Sequence, residues 1–178
     1  MQQDTRKMVE IAMAIALSVV LSLLRLFRMP QGGSVTLAML PLFIIAFRWG
    51  VKAGILGGVG AGLLQLVLGP AIVHPAQLIL DYPLAYGLVG LAGVFRDRIQ
   101  DKKNIKQFKW IFLGMIFGAG TRLISHVLSG VIFFAHYTPE GQNVWAYSII
   151  YNASFLVPAL LLCLVIIVPL KKVIFLDD

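Results

Sequence analysis

Apolar residues along this chain gather into six runs, at 7–24, 35–47, 51–68, 75–95, 109–134 and 144–170. An α-helix needs about 20 predominantly apolar residues to cross a bilayer. Five of the runs are near that length. The second is short, and is expected either to tilt or to be continued by the Gly32-Gly33 turn. The pattern therefore predicts an all-α integral membrane protein, a single domain of six transmembrane helices over 1–178. Breakers stand between the runs: Met29-Pro30-Gln31-Gly32-Gly33, Arg48-Trp49-Gly50, Gly69-Pro70, His74-Pro75 and Thr138-Pro139-Glu140-Gly141. Pro75 is well placed for a first helical position. Residues 96–109 form the only long polar stretch. The short charged start, Met1 to Glu10, leads into an apolar run of nearly full span with no small-residue cleavage site around Leu24 to Arg28. The first run is thus expected to be a retained helix and not a signal peptide.

Composition supports lipid as the solvent. The 178 residues are 59% hydrophobic and only 13% charged, with mean hydropathy +0.88, whereas a soluble domain carries about twice that charged fraction. One cysteine, Cys163, sits in a Leu-rich run and excludes a disulfide framework or a cysteine metal cluster within the chain.

The net charge of +7 raises the possibility of nucleic acid, but the placement of the charges argues against it. With six spans and a cytoplasmic N-terminus, the cytoplasmic side holds Arg6, Lys7, Arg48, Lys52, Arg96, Arg98, Lys102, Lys103, Lys106, Lys109, Lys171 and Lys172, twelve of the fifteen cations. Arg25 and Arg28 fall outside and Arg122 within a helix. The positive-inside rule predicts this asymmetry and puts both termini in the cytoplasm.

Polar groups inside the spans are costly and mark function. Of the eight acids, Asp81 alone lies within a mid-chain span. Counted from Pro75 at the outer side, it is about 9 Å deep. His126, counted from Phe134, and Asn152, counted from Val144, are each about 12 Å deep. Tyr147, Ser148 and Tyr151 lie slightly shallower, and Tyr82 adjoins Asp81. Three helices thus bring polar groups to one depth in the outer half, which predicts one pocket open to the outside. Each residue also has a plainer reading. Asp81 can pair with Arg122, His126 can be a satisfied core histidine, Asn152 can hold helices together, and Tyr147 and Tyr151 can belong to an interfacial belt. The coincidence of depth favours a pocket suited to a cationic aromatic solute. Asp81 is the counter-ion, Tyr82, Phe134, Trp145 and Tyr147 offer ring faces, and His126 and Asn152 give orientation.

Gly54, Gly57, Gly58, Gly60 and Gly62 on the third helix allow close helix approach. Ala12 and Ala16 form a small-xxx-small patch on the first helix, either for packing within the chain or for docking to another membrane protein. No P-loop, zincin motif or nucleophile elbow occurs, so neither an enzyme nor a cofactor is expected, and any ATP-driven work must come from other chains.

The stretch Leu80-Asp81-Tyr82, with Gly90-Leu91-Ala92-Gly93-Val94-Phe95-Arg96, is similar to the fourth helix of a known family. So are His126 to Gly130, Ile132-Phe133, Tyr137 and Ala146-Tyr147-Ser148 with Asn152 to its fifth and sixth helices, and Ala12-x-x-x-Ala16 to its coupling motif. On these residues the chain resembles the thiamine-specific substrate-binding (S) components of energy-coupling factor transporters of Gram-positive bacteria. The resemblance implies the six-helix S-component fold in the cell membrane and thiamine as ligand. It implies that Asp81 faces the thiazolium, where many members carry Glu, and that Tyr82, His126, Tyr147 and Asn152 complete the site, with Ser148 beside them. A transmembrane coupling subunit would dock on Ala12 and Ala16, with two cytoplasmic ATPase subunits. Gly32 and Thr36 stand where some members have Trp and Glu, and Phe134 where a Trp follows the histidine helix. Gln31 and Ser34 are at hand to compensate. An S component for another vitamin or aromatic cation, or a structural membrane subunit without a ligand, are the alternatives.

Overall fold

The computed structural model describes residues 2–70, 72–101 and 106–170. Lys102, Lys103, Lys171, Lys172, Asp177 and Asp178, whose positions weigh on the topology, lie outside the described residues. Each of the six apolar runs forms a helix: α1 (Gln2–Leu23), α2 (Met39–Trp49), α3 (Val51–Leu68), α4 (Pro75–Gln100), α5 (Gln107–Phe133) and α6 (Val144–Ile167). Between α1 and α2 a two-residue antiparallel ladder joins β1 (Phe27–Arg28) to β2 (Ser34–Val35). Gly32 and Gly33 turn this hairpin at φ +98° and +85°, a backbone region that glycine enters freely. The turn therefore reverses the chain and does not extend α2.

Helices α3, α4, α5 and α6 are long and apolar enough to cross a membrane. Large apolar side chains on them, such as Leu56, Ile124, Ile150 and Val165, face outward, as expected against lipid. In α1, Arg6, Lys7 and Glu10 make the first turns polar, and its apolar part begins only at Ile11. At eleven residues, α2 is about 17 Å long, shorter than the roughly 30 Å hydrocarbon core of a bilayer. Its residues Met39 to Arg48, Ile44 apart, are buried, so it serves as the apolar centre around which the others pack.

Arg48 closes the C-terminal end of α2. It is 7% exposed and pairs with Glu10 at 2.7 Å, while Trp49 Nε1 donates to the same carboxylate at 2.6 Å and Arg6 pairs with it at 3.1 Å. The polar stretch expected over 96–109 is partly helical. Arg96 Nε and Gln100 Nε2 donate to Arg48 O at 2.9 Å each. These bonds satisfy a carbonyl orphaned at the end of α2 and carry α4 through to Gln100.

The glycines of α3 set how closely α4 approaches. A Cβ on Gly54 would stand 2.7 Å from Gly90 Cα, and one on Gly62 would stand 2.6 Å from the Tyr82 carbonyl. One on Gly58 would overlap the Tyr86 carbonyl. These three positions, four residues apart, share a face and meet Tyr82, Tyr86 and Gly90, which have the same spacing on α4. Close contact here fixes the depth of the segment bearing Asp81.

Candidate functional site: a polar cavity at the hairpin end of the bundle

Pro83 determines the local shape of α4. It brings no N–H, and its ring crowds the carbonyl four residues back. Residues Leu80–Leu84 accordingly widen into a single π turn, a departure from regular helix that recurs at functional sites. Ser125 Oγ of α5 donates to Leu80 O at 2.6 Å and satisfies a carbonyl that the irregularity exposes. Asp81 and Tyr82 lie inside the widened turn.

The Asp81 carboxylate is held by three donors. His126 Nδ1 is 3.1 Å from Oδ1, and Gln77 Nε2 and Ser129 Oγ donate to Oδ2 at 2.7 and 2.9 Å. The Val73 N–H donates to Gln77 Oε1 at 3.2 Å, which fixes the amide with its NH₂ toward Asp81. Arg122 does not reach the carboxylate. Its Nε donates to His126 Nε2 at 3.2 Å, and its guanidinium lies 4.0 Å from the centre of the Tyr86 ring. The Arg122 bond makes Nε2 an acceptor, so Nδ1 carries the ring proton and donates it to Asp81. A neutral imidazole therefore spaces arginine from aspartate, in place of the direct Asp81–Arg122 pair. The reason is helical spacing: Arg122 and His126 are one turn apart on α5, and only His126, the one nearer the hairpin end, is level with Asp81.

These groups open onto a cavity of about 250 Å³. It lies where α1, α3 and α5 end, α4 and α6 begin, and the hairpin folds across. Eight of the residues that the sequence singles out for ligand, Thr36, Asp81, Tyr82, His126, Phe134, Tyr147, Ser148 and Asn152, line it. Their surroundings differ. Asn152 Nδ2 donates to the Ser148 carbonyl at 2.9 Å, and Ser148 Oγ donates to Val127 O at 3.0 Å, so both also tie α6 to itself and to α5. The Tyr147 hydroxyl donates to Gln31 Oε1 at 2.8 Å. Tyr151 Oη accepts from Gln31 N and donates to Gly32 O, at 2.9 and 2.8 Å. Two stacked tyrosines of α6 thereby clamp the hairpin turn. Gln31 and Ser34 both line the cavity.

Trp145 is a correction. It was expected to offer a ring face, but it is 52% exposed and absent from the cavity wall. It shares the helix face of Ser148 and Asn152 but stands in the first turn of α6, one to two turns nearer the helix end, outside the wall. Tyr86, Tyr137, Tyr151 and Phe155 supply further rings instead. Sequence reasoning gave no role to Gln77, Ser129 or Phe155. The first two had a readable signal, since Gln77 is four residues before Asp81 and Ser129 three after His126. Among the described residues no group of His, Cys, Asp or Glu is arranged to hold a metal. On α1, Ala14 and Ser18 are buried whereas Ala12 and Ala16 are exposed, so the latter pair is not spent on packing within the chain.

Residues 8–175 match the family described as thiamine transporter protein (Thia_YuaJ). The chain is 38% identical over 168 residues to a thiamine transporter ThiT of Bacillus subtilis, covering 90% of this chain and 88% of that protein. A thiamine transporter ThiT of Lacticaseibacillus paracasei is 32% identical over 137 residues, 72% of this chain and 68% of its own length. The solved structure of ThiT from Listeria monocytogenes superposes with a TM-score of 0.87 at 29% identity, over 96% of this chain and 95% of that one.

Proposed function

This chain belongs to the thiamine transporter family, a family of membrane proteins that are not enzymes, and from that premise we propose that it is the substrate-binding subunit of an energy-coupling factor importer. It captures thiamine with high affinity from outside the cell and passes it inward together with a transmembrane coupling subunit and two cytoplasmic ATPase subunits. It crosses the plasma membrane of a Gram-positive bacterium six times, with both termini in the cytoplasm, as the distribution of cations favours. α1 then crosses on its apolar part, and α2 stands within the bundle.

The observation that carries this reading is Asp81, an ionisable group in a mid-chain span that is hydrogen-bonded by three donors at the wall of a ring-lined cavity. Thiamine joins a permanently cationic thiazolium to an aminopyrimidine. Asp81 is the counter-ion for the first. Its three donors leave about one of its four acceptor sites for the ligand. Gln77, Ser129 and His126 hold it in place, so little side-chain entropy is lost when the cation arrives. Tyr82, Phe134 and Tyr147 supply faces for stacking and cation–π contact. Asn152, Ser148 and Thr36 orient the pyrimidine. The compact cavity suits a ligand of this size, being close to the lower end of the usual range of about 300 Å³ upward.

Mass spectrometry of the small molecule that copurifies with the detergent-solubilised chain, followed by calorimetric titration with thiamine, tests the proposal. Thiamine is expected in the first measurement and saturable one-to-one binding in the second. Calorimetry is the better readout, because Trp145 stands off the cavity. An absence of heat at micromolar thiamine would sink the idea.

A further inference from the structure

The charges around the cavity do not suit a simple cation. Arg25, Arg28, Asp81 and Arg122 line it, three guanidinium groups against one carboxylate. With His126 neutral, the wall carries a net charge of two positive. Asp81 and Arg122 are linked through His126 and balance one another. The excess belongs to Arg25 and Arg28, which follow α1 and enter the hairpin. Neither guanidinium makes a hydrogen bond, ion pair or ring contact among the described residues; only the backbones of Arg25 and Arg28 are engaged. Glu140, the acid expected in an outer loop, is not part of the wall.

A second observation points to a missing polar occupant. Among the described residues, the buried side-chain atoms left without a hydrogen-bond partner are Gln65 Nε2 and Thr138 Oγ1. Both residues line this cavity. Buried donors are nearly always satisfied, and an exception calls for an absent water, ion or ligand. Gln65 Nε2 is a donor only, so its absent counterpart is an acceptor.

We propose that Arg25, Arg28 and Gln65 form an anion subsite of the cavity, which holds the phosphate of a phosphorylated thiamine while Asp81 holds the thiazolium. The inference rests on the thiamine reading of the same cavity. A phosphate ester of an aromatic cation has the charge pattern that the wall lacks: one positive end for Asp81 and an anionic end for two free guanidiniums. Arginine is suited to the second task because its planar fork meets phosphate oxygens two at a time. A lipid headgroup phosphate could use the same chemistry. The soluble ester is preferred because these side chains share a cavity with Asp81, which a membrane phosphodiester has no reason to approach.

Calorimetric titration of the full chain in neutral detergent with thiamine and with thiamine monophosphate tests this. In Arg25→Ala/Arg28→Ala the monophosphate is expected to bind about tenfold more weakly, while thiamine binds no more weakly than before. Arg25→Lys/Arg28→Lys should recover part of the loss. In the unaltered protein, added sodium chloride should weaken the monophosphate more than thiamine, because mouth charges are screened. A double variant that keeps the monophosphate-to-thiamine affinity ratio, or a ratio insensitive to salt in the unaltered chain, overturns the subsite and leaves the thiamine reading standing. Failure of the unaltered chain to bind thiamine overturns the reading beneath it. In nanodiscs, a monophosphate affinity that falls as phosphatidylglycerol replaces phosphatidylcholine, with thiamine unaffected, would give the arginines to lipid and also overturn the proposal.

Discussion

Asp81 is expensive to place in a membrane, and its neighbours show how that cost is met. Gln77, Ser129 and His126 replace water around the carboxylate, and Arg122 offsets its charge through a neutral ring. Asp81→Asn keeps the shape but removes the charge and gives His126 and Gln77 a poorer acceptor. Truncating one member of a desolvated charge pair costs about 3 kcal/mol, so the dissociation constant for thiamine should rise near 100-fold by calorimetry. Ser129→Ala removes one donor and leaves the carboxylate, and a loss of about tenfold is expected. If Asp81→Asn binds as tightly as the unaltered chain, the carboxylate is structural. Asp81 and His126 were legible in the sequence because an ionisable residue in an apolar run stands out. Gln77 and Ser129 were not, since uncharged residues are ordinary in a helix until docking of α4 on α5 shows what they face. The place of Arg122 was half legible. Its spacing from His126 was plain, but which of the two met Asp81 depended on the relative height of two helices.

At the scale of elements, α3 and α4 divide the work. The one-turn repeat Gly54, Gly58 and Gly62 lets α3 lie against the backbone of α4, and Pro83 opens the π turn that carries Asp81 and Tyr82. A side chain at Gly58 meets backbone alone, the Tyr86 carbonyl and Gly87 Cα, which cannot yield as a flexible side chain would. Gly58→Leu is therefore expected to push the helices apart, lower the thermal midpoint of the purified protein by several degrees, and abolish thiamine binding. Gly69→Ala, with nothing within 4 Å of its added carbon, is the control for crowding, although its φ of +87° carries a backbone cost of its own. An unchanged midpoint for Gly58→Leu would show that the close approach is not needed. That α3 would pack closely was readable from its glycines, and so was the helical nature of all six runs. The hairpin was not readable as a ladder, because two residues per strand leave no periodicity to detect. The extension of α4 through Gln100 was hidden by its charge, since Arg96 and Gln100 look like loop residues until the end of α2 is placed beside them.

Across the whole molecule the two proposed functions fall in two places, the cavity at the hairpin end and the exposed face of α1. Ala14 and Ser18 turn inward, the latter donating to Ala38 O at 2.7 Å. Ala12 and Ala16 lie two residues away from them, about 200° round the helix, and are exposed. A lipid-facing patch has no need of small side chains, since larger apolar ones such as Met13 and Leu17 serve there. Close approach of another helix does need them. In the proposed assembly this is where the coupling subunit sits, remote from Asp81 along the chain and engaged by a different helix face. Ala12→Trp and Ala16→Trp should then separate two functions. Uptake of radiolabelled thiamine by cells carrying the complete importer is expected to fall to background, while the purified variants bind thiamine with unchanged affinity. The dissociation is what matters: loss of both would mean that α1 was displaced and the cavity deformed. Retention of both would mean that the coupling subunit docks on another face, since an indole at either position is too large to leave a close helix contact intact.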